Sequence, residues 1–224
     1  MAGIRSFVAV ELDETARLEL SRVLGQLKRS DADVKWVSPN NLHLTLKFLG
    51  DVPADDMAKV IAALGVAVAG QPVGEAAQPI ASSGRATSGG GRPFDFELVG
   101  VGAFPSVSNP RVIWVGLGRG REALASLAAG VEAALGPLGF PTEGRGFSPH
   151  LTLGRCRSPR NQAELKAAMA ALRDYRGPRV RVERVTLFSS DLRPSGPVYA
   201  PLATLPLAAS SQGSQAAEVE EGLS

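Results

Sequence analysis

Apolar and polar positions along the chain follow two patterns, one typical of strands and one typical of helices. Continuous or alternating apolar runs predict strands at 4–12, 34–37, 42–49, 94–98, 111–117 and 150–153, with further strands near 179–188 and 198–205. Apolar residues at helical spacing predict helices that begin near 13, 54, 121 and 161. Asp13 is a suitable N-cap for the first helix, and Pro53 suits the first turn of the second. The chain is therefore predicted to combine helices and strands.

The order and the spacing of these elements repeat along the chain. The first helix of each half begins about 108 residues after its counterpart (121 − 13), and the second about 107 residues after (161 − 54). Such a repeat indicates an internal duplication, with too few units for a solenoid. Two α+β lobes related by a pseudo-twofold axis would bring equivalent strands to a common cleft.

Both histidines of the chain stand in the same tetrapeptide, in equivalent predicted strands. His43 and His150 are 107 residues apart (150 − 43), and each is followed by Leu-Thr-Leu. Because residues i and i+2 of a strand point to the same face, each strand presents one imidazole and one threonine hydroxyl. Thr45 and Thr152 are those threonines, and the leucines point to the opposite face, towards the core.

Two imidazoles and two hydroxyls around a cleft suit in-line displacement at a phosphodiester. Imidazole titrates near neutrality, so one histidine can accept a proton while the other donates one, and the threonines can hold the non-bridging oxygens. A single strand histidine is more often structural, but packing has no need for the same pair twice. A zinc site would need a third ligand, and Cys156 is the only soft donor nearby. A serine or cysteine nucleophile would explain one motif and not its copy.

Composition and charge narrow the class of protein. No apolar run approaches the ~20 residues that cross a bilayer, and the single cysteine, Cys156, allows no intramolecular disulfide, which fits a reducing cytoplasm. The net charge is +2 over 224 residues, and it rises to +5 (2 + 3) without three glutamates near the C-terminus. Between Arg155 and Arg184 there are eight arginines and one lysine against three acidic residues, a surplus that could attract RNA or simply be solvated.

The two motifs, together with three other segments, carry a resemblance to a known family. The segments are "SFVAVELDE", "VSPNNLHLTLKFLGDV", "NPRVIWVGL", "FSPHLTLGR" and "LFSSDLRPSGPVYAPLATLPL". The chain resembles the two-histidine phosphoesterases, in particular the bacterial and archaeal RNA 2′,3′-cyclic phosphodiesterases, historically called 2′-5′ RNA ligases. The resemblance implies a bilobal α+β fold with an antiparallel sheet in each lobe, and a mechanism without a metal or other cofactor.

The resemblance also implies roles for individual residues. His43 corresponds to the proton donor and His150 to the proton acceptor, while Thr45 and Thr152 correspond to phosphate ligands. Arg155 matches a basic residue that often follows the second motif in the family. Its counterpart in the first half is Phe48, so any arginine role is asymmetric.

The function expected from this resemblance is hydrolysis of a terminal RNA 2′,3′-cyclic phosphate to a 2′-phosphomonoester, with 2′-5′ ligation as a minor reverse reaction. Two alternatives remain at this point, a phosphodiesterase for small cyclic nucleotides and an RNA-end-binding module without turnover. We expect one bilobal domain at 1–207, acting as a monomer in the cytoplasm and in contact with no membrane. A Gly/Ser-rich loop at 81–93 and a disordered acidic tail at 208–224 are expected to lie outside the family core.

The first prediction concerns metals. Because no cluster of metal ligands is recognisable in the sequence, the enzyme should keep its activity in excess EDTA, measured as the initial rate on a cyclic phosphate substrate. A loss of rate that added zinc or magnesium restores would contradict it.

Overall fold

The computed structural model describes residues 3–70, 91–142, 144, 146–194 and 196–208. Over these residues the chain forms four α-helices: α1 (Glu14–Lys28), α2 (Met57–Val68), α3 (Arg121–Leu135) and α4 (Gln162–Ala171). It also forms nine strands: β1 (Ile4–Glu11), β2 (Val34–Trp36), β3 (His43–Val52), β4 (Phe94–Ser106), β5 (Asn109–Leu117), β6 (His150–Cys156), β7 (Arg176–Val182), β8 (Arg184–Arg193) and β9 (Gly196–Pro206). Most of the predicted Gly/Ser loop and the predicted tail after Ala208 lie outside the described residues.

The strands form two antiparallel sheets with a repeated order. One sheet has the order β3-β1-β8-β9, and the other has β2-β6-β5-β4-β7. Leaving out β2, the strand order of the two sheets corresponds position by position, with the two motif strands β3 and β6 equivalent. The predicted bilobal α+β fold with an antiparallel sheet in each lobe is confirmed.

Each half of the sequence contributes to both lobes. Strand β2 comes from the first half but pairs with β6, and β8 and β9 come from the end of the chain but belong to the sheet of β1. The helices are shared in the same way, since α1 contacts β7 and α4, whereas α3 contacts β3 and α2. The two lobes are therefore joined by packed elements, and the boundary predicted at residue 207 stays a prediction.

The helices form where the spacing of apolar residues predicts them. The Asp13 carboxylate accepts a hydrogen bond of 2.7 Å from the Ala16 amide and so caps α1. The apolar faces of α1 and α3 are buried as predicted, through Leu20, Val23, Leu24 and Leu27 in α1, and Leu124, Leu127, Ala128 and Val131 in α3. None of the helices in the described ranges is long and apolar enough to cross a bilayer.

Two predicted elements differ from the structure in detail. The second helix begins with a 3-10 turn at Ala54–Asp56, and its α-helical part starts only at Met57. The segment near 179–188 contains two strands of different sheets, because β7 ends at Val182 and β8 begins at Arg184. The apolar alternation changes phase at this crossover, because Val180 and Val182 are followed by two charged residues, Glu183 and Arg184, before Val185 and Leu187. The shift marks the boundary that the sequence prediction did not place.

Each motif strand contains a β-bulge directly after its threonine. Thr45 pairs with Ala9 and Lys47 with Val8, so Leu46 has no partner on β1. In β6 the same shift leaves Leu153 without a partner on β5. An extra residue of this kind shifts the alternation of side chains by one position. Each residue after the bulge therefore points to the face opposite to the one that strict alternation would give it.

The first bulge turns Lys47 towards the core. Its side chain is 1% exposed, and its ammonium lies 2.6 Å from the Glu132 carboxylate and donates to the Pro141 carbonyl at 2.8 Å. Glu132 belongs to α3, and Pro141 belongs to the segment that leads to the second motif. One buried cation therefore links the first motif strand to elements of the second half.

The second prediction concerns this ion pair. Lys47→Met should lower the free energy of unfolding by about 3 kcal/mol, because it leaves a largely buried carboxylate without a counter-ion. Urea denaturation measures the change, and the double variant Lys47→Met/Glu132→Leu should recover much of it. Lys59→Met is the matched control, since Lys59 pairs with Asp56 on the surface, where solvent screens the pair, and its loss should leave stability nearly unchanged. Equal effects of Lys47→Met and Lys59→Met would show that the buried pair is not stabilising.

Candidate active site

The two motif strands meet at a cavity of about 700 Å³ that residues of both sheets line. All five residues predicted for the site line it: His43, Thr45, His150, Thr152 and Arg155. Behind them the leucines of both motifs are buried, with Leu44, Leu151 and Leu153 at 0% exposure. The predicted division of each motif strand into a polar cleft face and an apolar core face is confirmed.

The two imidazoles are held in the same way. Nδ1 of His43 lies 2.7 Å from the Asn41 carbonyl oxygen, and Nδ1 of His150 lies 2.7 Å from the Ser148 carbonyl oxygen. A carbonyl oxygen can only accept, so Nδ1 carries the hydrogen in both rings and Nε2 is the nitrogen left for proton exchange. The side-chain amide of Asn41 also donates to the Pro197 carbonyl at 2.9 Å, which ties the first motif to β9.

The bulges decide what stands next to each histidine–threonine pair. Strict alternation from His150 would turn Arg155 away from the cleft, but the bulge at Leu153 returns Arg155 to the face of His150 and Thr152. The equivalent bulge places Phe48 in the cleft, with 63% of its surface exposed. The two halves therefore offer different chemistry at equivalent positions, a guanidinium in one and an aromatic ring in the other.

Comparison with known proteins agrees with this geometry. A family model described as the 2′-5′ RNA ligase superfamily matches residues 14–194. The chain belongs to this superfamily. A relative from Methanothermobacter thermautotrophicus named RNA 2′,3′-cyclic phosphodiesterase is 35% identical over 196 residues, which cover 88% of this chain and 95% of the relative. A relative of the same name from Archaeoglobus fulgidus is 32% identical, with 88% and 96% covered.

Solved structures show the same fold. The crystal structure of TT0787 from Thermus thermophilus matches with a TM-score of 0.69 and 30% identity, over 92% of this chain and 99% of that one. The E. coli LigT structure in apo form has a TM-score of 0.63 and 22% identity, with 93% and 99% covered, and this likeness concerns the fold alone.

The two histidines of this superfamily member have different surroundings. The His43 ring lies 4.8 Å from the Phe7 ring and 5.3 Å from the Tyr199 ring, which is nearly perpendicular to it. Burial lowers the pKa of His43, and the hydrogen bond to Asn41 opposes this effect only in part. His150 contacts the Phe104 ring at 5.0 Å in an edge-on arrangement.

Sequence reasoning missed several residues of the cleft, among them Arg5, Lys35 and Tyr199. Lys35 could have been found, because it alternates with Val34 and Trp36, which pack against the core. The surplus of arginines between residues 155 and 184 is more conspicuous in the sequence, but most of these arginines lie outside the cleft. Of those cations Arg155 alone lines the cleft, whereas several others form ion pairs outside it, including Arg160–Asp31, Arg179–Glu97 and Arg181–Asp95.

The other possible metal ligands that the structure describes offer no metal site of the usual kind. Within the described ranges, no three histidine, cysteine or acidic residues stand close enough together to hold a metal ion. Cys156 is half-buried and does not line the cleft, and burial raises the pKa of its thiol. The zinc site considered from the sequence would therefore have no third ligand beside the two histidines in this part of the chain.

The third prediction follows from the burial of His43. Its pKa should lie below the ordinary value of 6.5 in an NMR titration of the free protein, and His150→Ala leaves a single histidine signal to assign. Between the folded and unfolded pKa values the unfolded chain binds more protons. The free energy of unfolding should therefore fall as the pH drops through 6.5 towards the folded pKa. His43→Asn should remove this part of the pH dependence. A His43 titration at or above 6.5 would contradict the argument.

Proposed function

We propose that the chain hydrolyses the 2′,3′-cyclic phosphate at the 3′ end of RNA to a 2′-phosphomonoester. The observation that carries this proposal is the duplicated histidine–threonine pair in one cleft, with both Nδ1 atoms bonded to carbonyls and both Nε2 atoms left for proton exchange. The name shared by the relatives, RNA 2′,3′-cyclic phosphodiesterase, supports the choice of substrate. A module that only binds RNA ends would need no such acid–base pair. The cytoplasmic location and the monomeric state stay predictions.

The reaction uses one histidine on each side of the phosphorus. Nε2 of His150 takes a proton from water, and the water oxygen forms a bond to phosphorus as the bond to the ribose 3′-oxygen breaks. Nε2 of His43 gives a proton to that leaving oxygen, so the products are a 3′-hydroxyl and a 2′-phosphomonoester. Afterwards His150 holds a proton and His43 lacks one, and exchange with solvent restores both. The same displacement, with a ribose 5′-hydroxyl in place of water as the nucleophile, joins two RNA ends by a 2′-5′ linkage as a minor reaction, and the 3′-oxygen leaves as before.

The threonines and the arginine stabilise the phosphate during this step. The hydroxyls of Thr45 and Thr152 donate to non-bridging oxygens without adding charge, and the Arg155 guanidinium offsets the charge that builds up as phosphorus becomes five-coordinate. Two sheets hold these groups in place before substrate arrives, so little reorganisation is needed during the reaction.

Burial of His43 has a consequence for its role as the acid. Its lowered pKa makes the required protonated form less populated in the free molecule than it is for an ordinary histidine. A phosphodiester anion next to the ring favours the protonated form, so substrate binding itself raises the pKa. The acid form is thereby stabilised mainly when a phosphate is present.

The cleft also has a surface for a nucleobase. The Phe48 ring is exposed at the cleft wall, in the place that Arg155 takes in the other half. Any base can stack on a flat aromatic face, which contributes about 1–3 kcal/mol without selecting one base. We infer that Phe48 supports the base of the terminal nucleotide.

The fourth prediction assigns the acid and the base. With a cyclic phosphate substrate, His43→Ala and His150→Ala should each lower kcat by roughly 10²- to 10⁴-fold. A nitrophenyl phosphodiester releases a phenolate that needs no proton, so it should restore much of the activity of His43→Ala and little of that of His150→Ala.

Thr45→Val is the control for this comparison. It removes a phosphate ligand and should lower turnover of both substrates by a similar factor. Rescue of His150→Ala instead would mean that the roles are exchanged, and rescue of neither variant would refute the two-histidine scheme. If the unmodified chain leaves RNA cyclic phosphate intact, the proposed function is wrong.

A further inference from the structure

We propose that Arg5 and Lys35 form a second anion subsite in the cleft, which binds the phosphodiester that joins the terminal nucleotide to the rest of the RNA. The inference rests on the proposed function and goes beyond it, because it makes an RNA chain a better substrate than a single cyclic nucleotide. Neither residue belongs to the two motifs, and they come from opposite walls of the cleft, Arg5 from β1 and Lys35 from β2.

Lys35 stands directly beside the arginine of the second motif. In the pairing of β2 with β6, Lys35 is opposite Arg155, so the two side chains leave the sheet on the same face with Cβ atoms about 5 Å apart. Val34 and Trp36 pack against the core on either side of Lys35, which turns the exposed lysine to the cleft. Like charges in opposite positions destabilise a sheet unless an anion lies between or beside them.

Arg5 approaches from the other lobe. It is exposed on β1, two residues before Phe7, and lines the same cavity. Burial raises the pKa of Tyr199, and the charges of Arg155 and Arg5 oppose this effect in part, so both guanidiniums lie within electrostatic range of the Tyr199 hydroxyl. The three cations therefore share one field around the cleft mouth.

Charge balance indicates a second phosphate. The described residues that line the cavity include Arg5, Lys35 and Arg155 but no aspartate or glutamate. None of these three cations forms an ion pair within the part of the chain that the structure covers, in contrast to Arg179, Arg181 and Arg193, which all have carboxylate partners. A cyclic phosphate carries one negative charge, which Arg155 matches. Lys35 and Arg5 remain, since Asp51 stands opposite Arg5 on β3 but forms no ion pair with it, and the next anion along an RNA chain is the phosphodiester of the preceding linkage.

A matched pair of substrates tests the subsite. The first is a diadenosine with a phosphodiester linkage and a terminal 2′,3′-cyclic phosphate. The second has a methylphosphonate linkage, which keeps both bases and removes the linking charge. The unmodified chain should favour the first by roughly 10-fold or more in kcat/KM, the usual value of a charge-assisted hydrogen bond in a partly exposed site.

Charge-removing variants should reduce that preference. Arg5→Gln and Lys35→Gln are each expected to lower the ratio of the two kcat/KM values several-fold, and the double variant should bring it close to one. Lys28→Gln is the control, because Lys28 is an exposed lysine at the end of α1 that does not line the cleft. It should leave the ratio at the value of the unmodified chain.

The possible outcomes separate the subsite from the proposed function. Equal kcat/KM for the two dinucleotides, both dependent on His43 and His150, would overturn the subsite and leave the proposed function intact. A preference that survives in the double variant would also overturn it. No turnover of either dinucleotide by the unmodified chain would overturn the proposed function, and the subsite with it.

Discussion

One extra residue in each motif strand determines which side chains reach the cleft. Leu46 and Leu153 occupy the bulges, and without them Arg155 and Phe48 would point into the core while Lys47 would point into the cleft. A strand that alternated strictly could present histidine and threonine but not a third group five residues after the histidine. The bulge therefore adds a third side chain to the face of each histidine–threonine pair.

The arrangement of the halves makes this geometry rigid. Each lobe contains strands from both halves of the chain, and α1 and α3 each contact a strand of the sheet that does not contain the strand before them, β7 for α1 and β3 for α3. The buried Lys47 ammonium adds a polar link between β3, α3 and Pro141. A hinge between the lobes would have to separate these contacts, so the cleft is better suited to holding a pre-organised pair of histidines than to opening and closing around a substrate.

The fold was largely predictable because its main signals are local. The leucines that flank His43 and His150 define the buried face of each motif strand, and the spacing of Leu20, Val23, Leu24 and Leu27 defines the buried face of α1. The membership of β2 in the second sheet depends on long-range pairing, which leaves no mark in a short window. The crossover between β7 and β8 is marked only by a change of apolar phase at Glu183 and Arg184, which shows that a strand ends but not which sheet the next one joins. The direction of Arg155 depends on a bulge that alternation does not reveal. Arg5 and Lys35 were missed because they were sought only by counting charges along the chain. Such a count does not distinguish a cation that pairs with a carboxylate on an edge strand from one that lies without an ion pair in a cleft.

The duplicated backbone explains how two identical motifs can carry opposite roles. Both imidazoles have the same tautomer, since each donates from Nδ1 to a carbonyl two residues earlier. The backbone around the two histidines therefore does not distinguish an acid from a base. The difference comes from the neighbours. His43 lies among Phe7 and Tyr199 and beside the exposed Phe48, whereas His150 shares its face with Arg155. A phosphate that binds to the guanidinium is drawn towards the His150 side, and a nucleoside that stacks on Phe48 is drawn towards the His43 side. In the proposed mechanism this places the leaving ribose oxygen near His43 and the attacking water near His150, so asymmetric binding of the substrate would assign the two proton transfers.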